Sequence, residues 1–169
     1  MSISCRSAGT LLLTGMTAII VASVAHAQRP ASIQGVWKIV ETQAPGAAVN
    51  TKPQPSVFLF TKKYYSFSGV TTAETRQKNS PTLRGQQLAD AEKIALYEEW
   101  RGYASDAGTY EIQGNTLKTR PIVAKNQGVM VGADNVYDVT TDGKTMTLVS
   151  KSDSGYGQIG MRTRLTRVE

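Results

Sequence analysis

The chain has 169 residues, a formal net charge of +6, and 40% apolar and 19% charged residues. This composition fits a folded globular protein of single-domain size and excludes a disordered or collagen-like chain. One cysteine and one histidine exclude an internal disulfide and any multi-histidine metal centre.

Both of those residues lie near the N-terminus. Residues 1–27 carry Arg6, an apolar stretch over 11–24, and a small-x-small site at Ala25-His26-Ala27. This is the pattern of a secretory signal peptide, with Gln28 as the first mature residue. The apolar stretch is short for a membrane span of about 20 residues. Cys5 precedes that stretch, so it is not placed for lipidation at the cleavage site. Removing 27 of the 169 residues leaves 142, and losing Arg6 lowers the net charge from +6 to +5. The expected product is an exported, periplasmic protein with neither thiol nor imidazole and with no stable membrane insertion after cleavage.

Without those side chains, Ser-His-Asp and Cys-His nucleophiles, haem ligation by His or Cys, and thiol redox chemistry are closed. A zinc site of carboxylates alone is improbable, and neither a metal nor a cofactor is expected. No GxxxxGK[ST] or GxGxxG motif is present. Asp, Glu, Lys, Tyr, Ser and Arg remain, which still permits acid–base chemistry. The basic residues are spread along the chain, so no nucleic-acid partner is expected.

In chain order, residues 33–41 read as a strand with Ile33, Gly35, Trp37 and Ile39 on one face. Four prolines and glycines make 42–55 a loop. Residues 57–61 and 64–70 read as two aromatic-rich strands joined at Lys62 and Lys63. Residues 71–85 are polar and read as a long loop. Residues 86–104 read as a helix with apolar residues on two sides. Strands follow at 108–113 and 116–124, joined by a Gly114-Asn115 hairpin, and at 135–140 and 144–151, joined around Asp142-Gly143. Residues 159–168 close the chain as a last strand.

Eight strands linked mostly by short turns favour an antiparallel up-and-down β-barrel, with one helix inserted between the third and fourth strands. A β-sandwich is the alternative. The Gly35-Val36-Trp37 triplet resembles the G-x-W signature of lipocalins. With the AGTYEIQGNTLKTRPIVAKN stretch, the DGKTMTL hairpin and the terminal RLTRVE, the chain from Ile33 to Glu169 resembles the bacterial lipocalin-like domain proteins. The resemblance implies a calycin-type barrel with space for a small apolar molecule; it supplies no catalytic residue.

The resemblance also implies that Trp37 plugs the closed end of the barrel under an arginine from the last strand. Gly35, Trp37, Arg162 and Arg164 are the barrel-closing candidates. Trp37 is also a candidate ligand contact. Phe58, Phe60, Tyr65 and Phe67 are candidate cavity walls, or simply filling of the barrel. Tyr110 and Tyr137 add phenols that orient a ligand or pack in the wall. Trp100 and Tyr103, with Leu96, form either a lid or a permanent plug over one end. Glu98, Glu99 and Asp106 read as a solvated charge run.

Three functions stay open: binding of a small hydrophobic or amphipathic molecule, an isomerase- or cyclase-type enzyme without His or Cys, and a fully packed structural module. A buried carboxylate beside a phenol or lysine inside a cavity separates the enzyme from the binder, and none is expected.

Overall fold

The computed structural model describes residues 32–72, 88–132, 134–153 and 157–169. The expected leader, residues 1–27, and most of the expected loop 71–85 lie outside the described residues. The elements run β1 (Gly35–Gln43), β2 (Ser56–Phe60), β3 (Tyr64–Val70), α1 (Asp90–Arg101), β4 (Tyr103–Gln113), β5 (Thr116–Ala124), α2 (Gln127–Val131), β6 (Asn135–Thr141), β7 (Thr145–Ser150) and β8 (Arg162–Arg167). Each strand pairs antiparallel with the next, and β8 pairs with β1, so the sheet closes into a barrel. The β-sandwich alternative is thereby excluded.

Inward side chains alternate along each strand: Tyr65 and Phe67 on β3, Leu117 and Thr119 on β5, Met146 and Leu148 on β7 are all buried. The barrel has two unlike ends. At one end the connections are tight hairpins, where Gly114 (φ 58) and Gly143 (φ 87) take the left-handed backbone that their turns require. The start of β1 and the C-terminal residues meet there too, with Val36 N–H donating to Glu169 O at 3.0 Å and Val168 N–H to Val36 O at 2.7 Å. The other end carries the long connections: 44–55, the segment before β4 that includes α1, the α2 segment, and 151–161.

Three details correct the sequence reading. The helix is shorter than 86–104 and gives way at Gly102 directly to β4, which starts five residues earlier than expected. The full-length strand lets β4 pair along all of β3, from Tyr64 opposite Thr109 to Val70 opposite Tyr103. The one-turn helix α2, capped by the Asn126 carboxamide accepting from Gly128 N–H at 3.0 Å, was not anticipated. Finally, β1 bulges between Ile39 and Glu41. The extra residue flips the facing of the strand, so Ile39 and then Thr42 point inward, while Glu41 points out to pair with Arg164 at 2.9 Å.

α1 buries none of its residues, and Ile94, Tyr97 and Trp100 are exposed. Its C-terminal end is held by Lys125, whose ammonium donates to the carbonyls of Trp100 and of Tyr103, the latter at 2.8 Å. It neither plugs the barrel nor covers a buried surface. Among the described residues no helix is long and apolar enough to cross a membrane.

Candidate functional site

The upper half of the barrel, toward the long connections, encloses a cavity of about 220 Å³. Ile39, Phe58, Phe67, Val70, Leu148 and Met161 supply its apolar walls. Strand alternation turns Phe58, Phe67 and Leu148 inward, with Phe58 opposite Phe67 across β2 and β3. Their rings lie 4.6 Å apart, centre to centre. Exposed Asn50 and Thr71 stand at the rim with Gln54 and Thr72. Thr42, Ser56, Thr119, Tyr137, Ser150 and Thr163 add neutral polar groups inside.

One ionisable group stands among them that the sequence reading had placed in solvent. Asp106 is 4% exposed and lines the cavity. The Tyr65 hydroxyl donates to its Oδ2 at 2.9 Å, and its Oδ1 has no hydrogen-bond partner among the described residues. A buried carboxylate in reach of a phenol was the arrangement not expected here. Burial lifts the Asp106 carboxyl to about 6, an effect larger than the opposing hydrogen bond from Tyr65. Burial and the neighbouring Asp106 also push the Tyr65 phenol well above its ordinary value, so Tyr65 keeps its proton and acts as a donor. Thr119, beside the Tyr65 phenol, works against that rise. No Lys, Arg or His lines the cavity among the described residues, and no group of three or more His, Cys, Asp or Glu gathers to hold a metal.

The nine sequence-derived wall candidates divide. Phe58, Tyr65, Phe67 and Tyr137 border the cavity. Phe60 lies one step lower on β2, its ring 5.7 Å from Phe58 and edge-on to Tyr110 at 5.3 Å. The Tyr110 hydroxyl donates to Thr61 O at 2.7 Å, which pulls it to the hairpin end. Trp100 and Tyr103 are outside the barrel: Tyr103 falls on the outer face of β4, its phenol 2.5 Å from Ser68 Oγ, and Trp100 packs edge-on against it at 5.9 Å.

Trp37 is fully buried at the hairpin end and donates from Nε1 to Ile33 O at 2.7 Å. The guanidinium above it belongs to Arg167, 4.4 Å from the ring centre. Arg162 and Arg164 point outward, because Leu165 is buried and every second residue of β8 shares its face: Thr163, Leu165 and Arg167 point in. Arg167 also donates to the carbonyls of Ser32 at 2.6 Å, of Gln34 and of Gly143. Gly35 (φ +133) lies against this cluster; a Cβ there would run into the Glu169 carbonyl and the Arg167 guanidinium. An eight-stranded meander closed on itself, with a G-x-W tryptophan sealed under an arginine from its last strand, decides the architecture.

The fold is a closed, eight-stranded antiparallel up-and-down barrel. No protein-family model matches the chain, and no curated protein does. Among solved structures, a lipocalin-like protein from Bacteroides uniformis is similar at 11% identity and a TM-score of 0.45, over 79% of this chain and 96% of that one. An uncharacterized protein from Bacteroides eggerthii is similar at 13% identity and a TM-score of 0.43, over 79% of this chain and 98% of that one.

In this barrel the residues that sequence reasoning missed are Asp106, Thr119 and Arg167. A signal existed for two of them. Ala104, Asp106, Gly108 and Tyr110 share one strand face, and Arg167 shares the parity of Leu165. Thr119 carried none beyond alternation with Leu117.

Proposed function

We propose that this chain is an exported binding protein whose barrel holds one small molecule, mostly apolar with a polar end. The observation that carries the reading is the cavity itself: about 220 Å³, walled by aromatic and aliphatic side chains, with a few polar groups converging on it. It is smaller than the pockets of 300 Å³ or more that hold drug-sized ligands. A cavity of about 150 Å³ accommodates benzene, so this one suits a molecule of about ten non-hydrogen atoms. Export rests on the leader pattern of residues 1–27.

The test is native mass spectrometry of the protein isolated from the periplasm, joined to a thermal-shift screen of small apolar compounds. A copurified adduct of low mass, or a concentration-dependent rise in Tm, is expected. Repeated absence of both overturns the reading.

One observation favours a second reading, acid–base chemistry on the bound molecule. Asp106, raised to about 6, sits in an apolar enclosure as a proton acceptor poised near neutrality, with Tyr65 held as a donor beside it. In that case Asp106→Asn abolishes turnover of a bound compound while leaving its binding measurable. If the compound emerges unchanged from the wild type, the enzyme reading fails and the binding reading stands.

A further inference from the structure

The binding reading leaves the polar end of the ligand unspecified, and the environment of Asp106 specifies it. An ionised carboxylate offers about four lone-pair positions. Asp106 spends one on the Tyr65 hydroxyl, through Oδ2, while Oδ1 has no partner among the described residues. At 4% exposure this is a nine-tenths-buried acceptor at the wall of a cavity. Taking a charge out of water is expensive unless an opposite charge and hydrogen bonds replace the lost hydration. Among the described cavity-lining residues the protein supplies no cation to do so.

We infer that the cavity selects a small organic amine in its ammonium form, its nitrogen donating to Asp106 and its apolar body lying against Phe58, Phe67 and Leu148. This inference rests on the binding reading and deepens it. An ammonium group brings the donors and the charge that Asp106 lacks, and an ion-supported hydrogen bond is about twice as strong as a neutral one. An alcohol of the same shape brings a donor without the charge. A carboxylate ligand would set like charges side by side in a site of low dielectric. The chain's net charge of +6 gives no long-range attraction for a cation, so selection acts at contact distance, inside the cavity.

The groups facing Asp106 also define its response to pH. β3 presents Tyr65, β5 presents Thr119, and β6 presents Tyr137. The Tyr65 phenol keeps its proton between pH 5 and 8, whereas the Asp106 carboxyl changes charge at about 6. The amine stays protonated over the same range. Its binding therefore weakens as pH falls through 6, by about tenfold at pH 5.

Four probes of matched size test this by isothermal titration calorimetry on the purified protein: benzylamine, benzyl alcohol, toluene and benzoate. At pH 7.5 benzylamine is expected to bind at least tenfold more tightly than each of the others. At pH 5 its affinity falls about tenfold while that of toluene stays constant. Asp106→Asn keeps an acceptor for the Tyr65 hydroxyl and is expected to erase the preference for the amine. Equal binding of benzylamine and toluene overturns the amine inference and leaves the binding reading intact, and so does a preference for benzyl alcohol or benzoate. If none of the four binds, the amine inference falls, and native mass spectrometry with the thermal-shift screen decides the binding reading. Should Asp106→Asn not fold, the wild-type pH series decides, and a benzylamine affinity that is flat from pH 7.5 to 5 overturns the inference.

Discussion

Asp106 holds its proton more tightly in the folded barrel, at about 6, than at the ordinary value of 3.8. Its contribution to stability is therefore fully present below pH 4 and is lost as pH rises through 6. At pH 7 the penalty for keeping it ionised is about 3 kcal/mol. Relative to Asp106→Asn, the wild type should thus gain about 2 kcal/mol on going from pH 7 to pH 4. Urea denaturation of both proteins at several pH values measures this, and a difference that does not vary with pH would show that the carboxylate is well solvated. Arg167 is the opposite case, a charge that is well supplied. Its guanidinium reaches three backbone carbonyls and lies over Trp37. Arg167→Ala should cost about 2–3 kcal/mol. Arg167→Lys should recover little of it, because an ammonium cannot form the same planar fork over the indole; full recovery in denaturant melts would reduce the role of Arg167 to charge alone. Both residues were legible only in part. Trp37 and Gly35 announce the sealed end through local sequence, whereas choosing Arg167 over Arg162 and Arg164 required the parity set by Leu165. Asp106 was misread because an acidic residue beside a helix end is normally solvated, and only its alternation with Ala104 and Gly108 said otherwise.

At the scale of elements, α1 is the part that sequence patterning described least well. Leu96, Trp100 and Tyr103 recur at helical spacing, so they read as one face of a helix that packs on the barrel. The chain instead turns at Gly102, and Tyr103 joins the outer face of β4. Small residues such as Ala104, Ala107 and Gly108 have low strand propensity, so β4 declares itself weakly in sequence. Pairing with β3 and β5 overrides that propensity. The hairpins at Gly114 and Gly143 were legible because a turn depends on a few adjacent residues. A helix that plugged the barrel would make Trp100→Ala cost about 3–5 kcal/mol. Trp100 is 49% exposed and meets Tyr103 edge-on, so the expected loss is below about 1 kcal/mol. Thermal and urea denaturation check this, and a loss of 3 kcal/mol or more would mean that α1 is anchored through Trp100. By the same reasoning, amides of α1 should exchange with solvent well before those of β7, whose Met146 and Leu148 lie in the core.

The whole molecule divides its labour between its ends. The hairpin end is packed solid: Trp37, Leu117, Met146 and Leu165 are fully buried, and the start of β1 is hydrogen-bonded there to the C-terminal residues. The end with long connections holds the cavity, bordered by residues from all eight strands and from the loops between them. This is why the barrel was legible and the cavity was not. Strand count and turn spacing follow from local pattern, whereas a void depends on how side chains far apart in sequence fail to fill the space between them. The division predicts that affinity and stability can be changed separately. Thr163 points into the cavity from β8, between Thr42 of β1 and Leu148 of β7. Thr163→Phe places a ring in open space, so it creates little of the strain that costs about 1–3 kcal/mol in a filled core. The variant should melt within a few degrees of the wild type and lose binding of any compound that the wild type takes up. Calorimetry paired with thermal melts reads both quantities. Retained affinity would place the ligand elsewhere on the barrel, and a large loss of stability would show that the space near Thr163 is already filled.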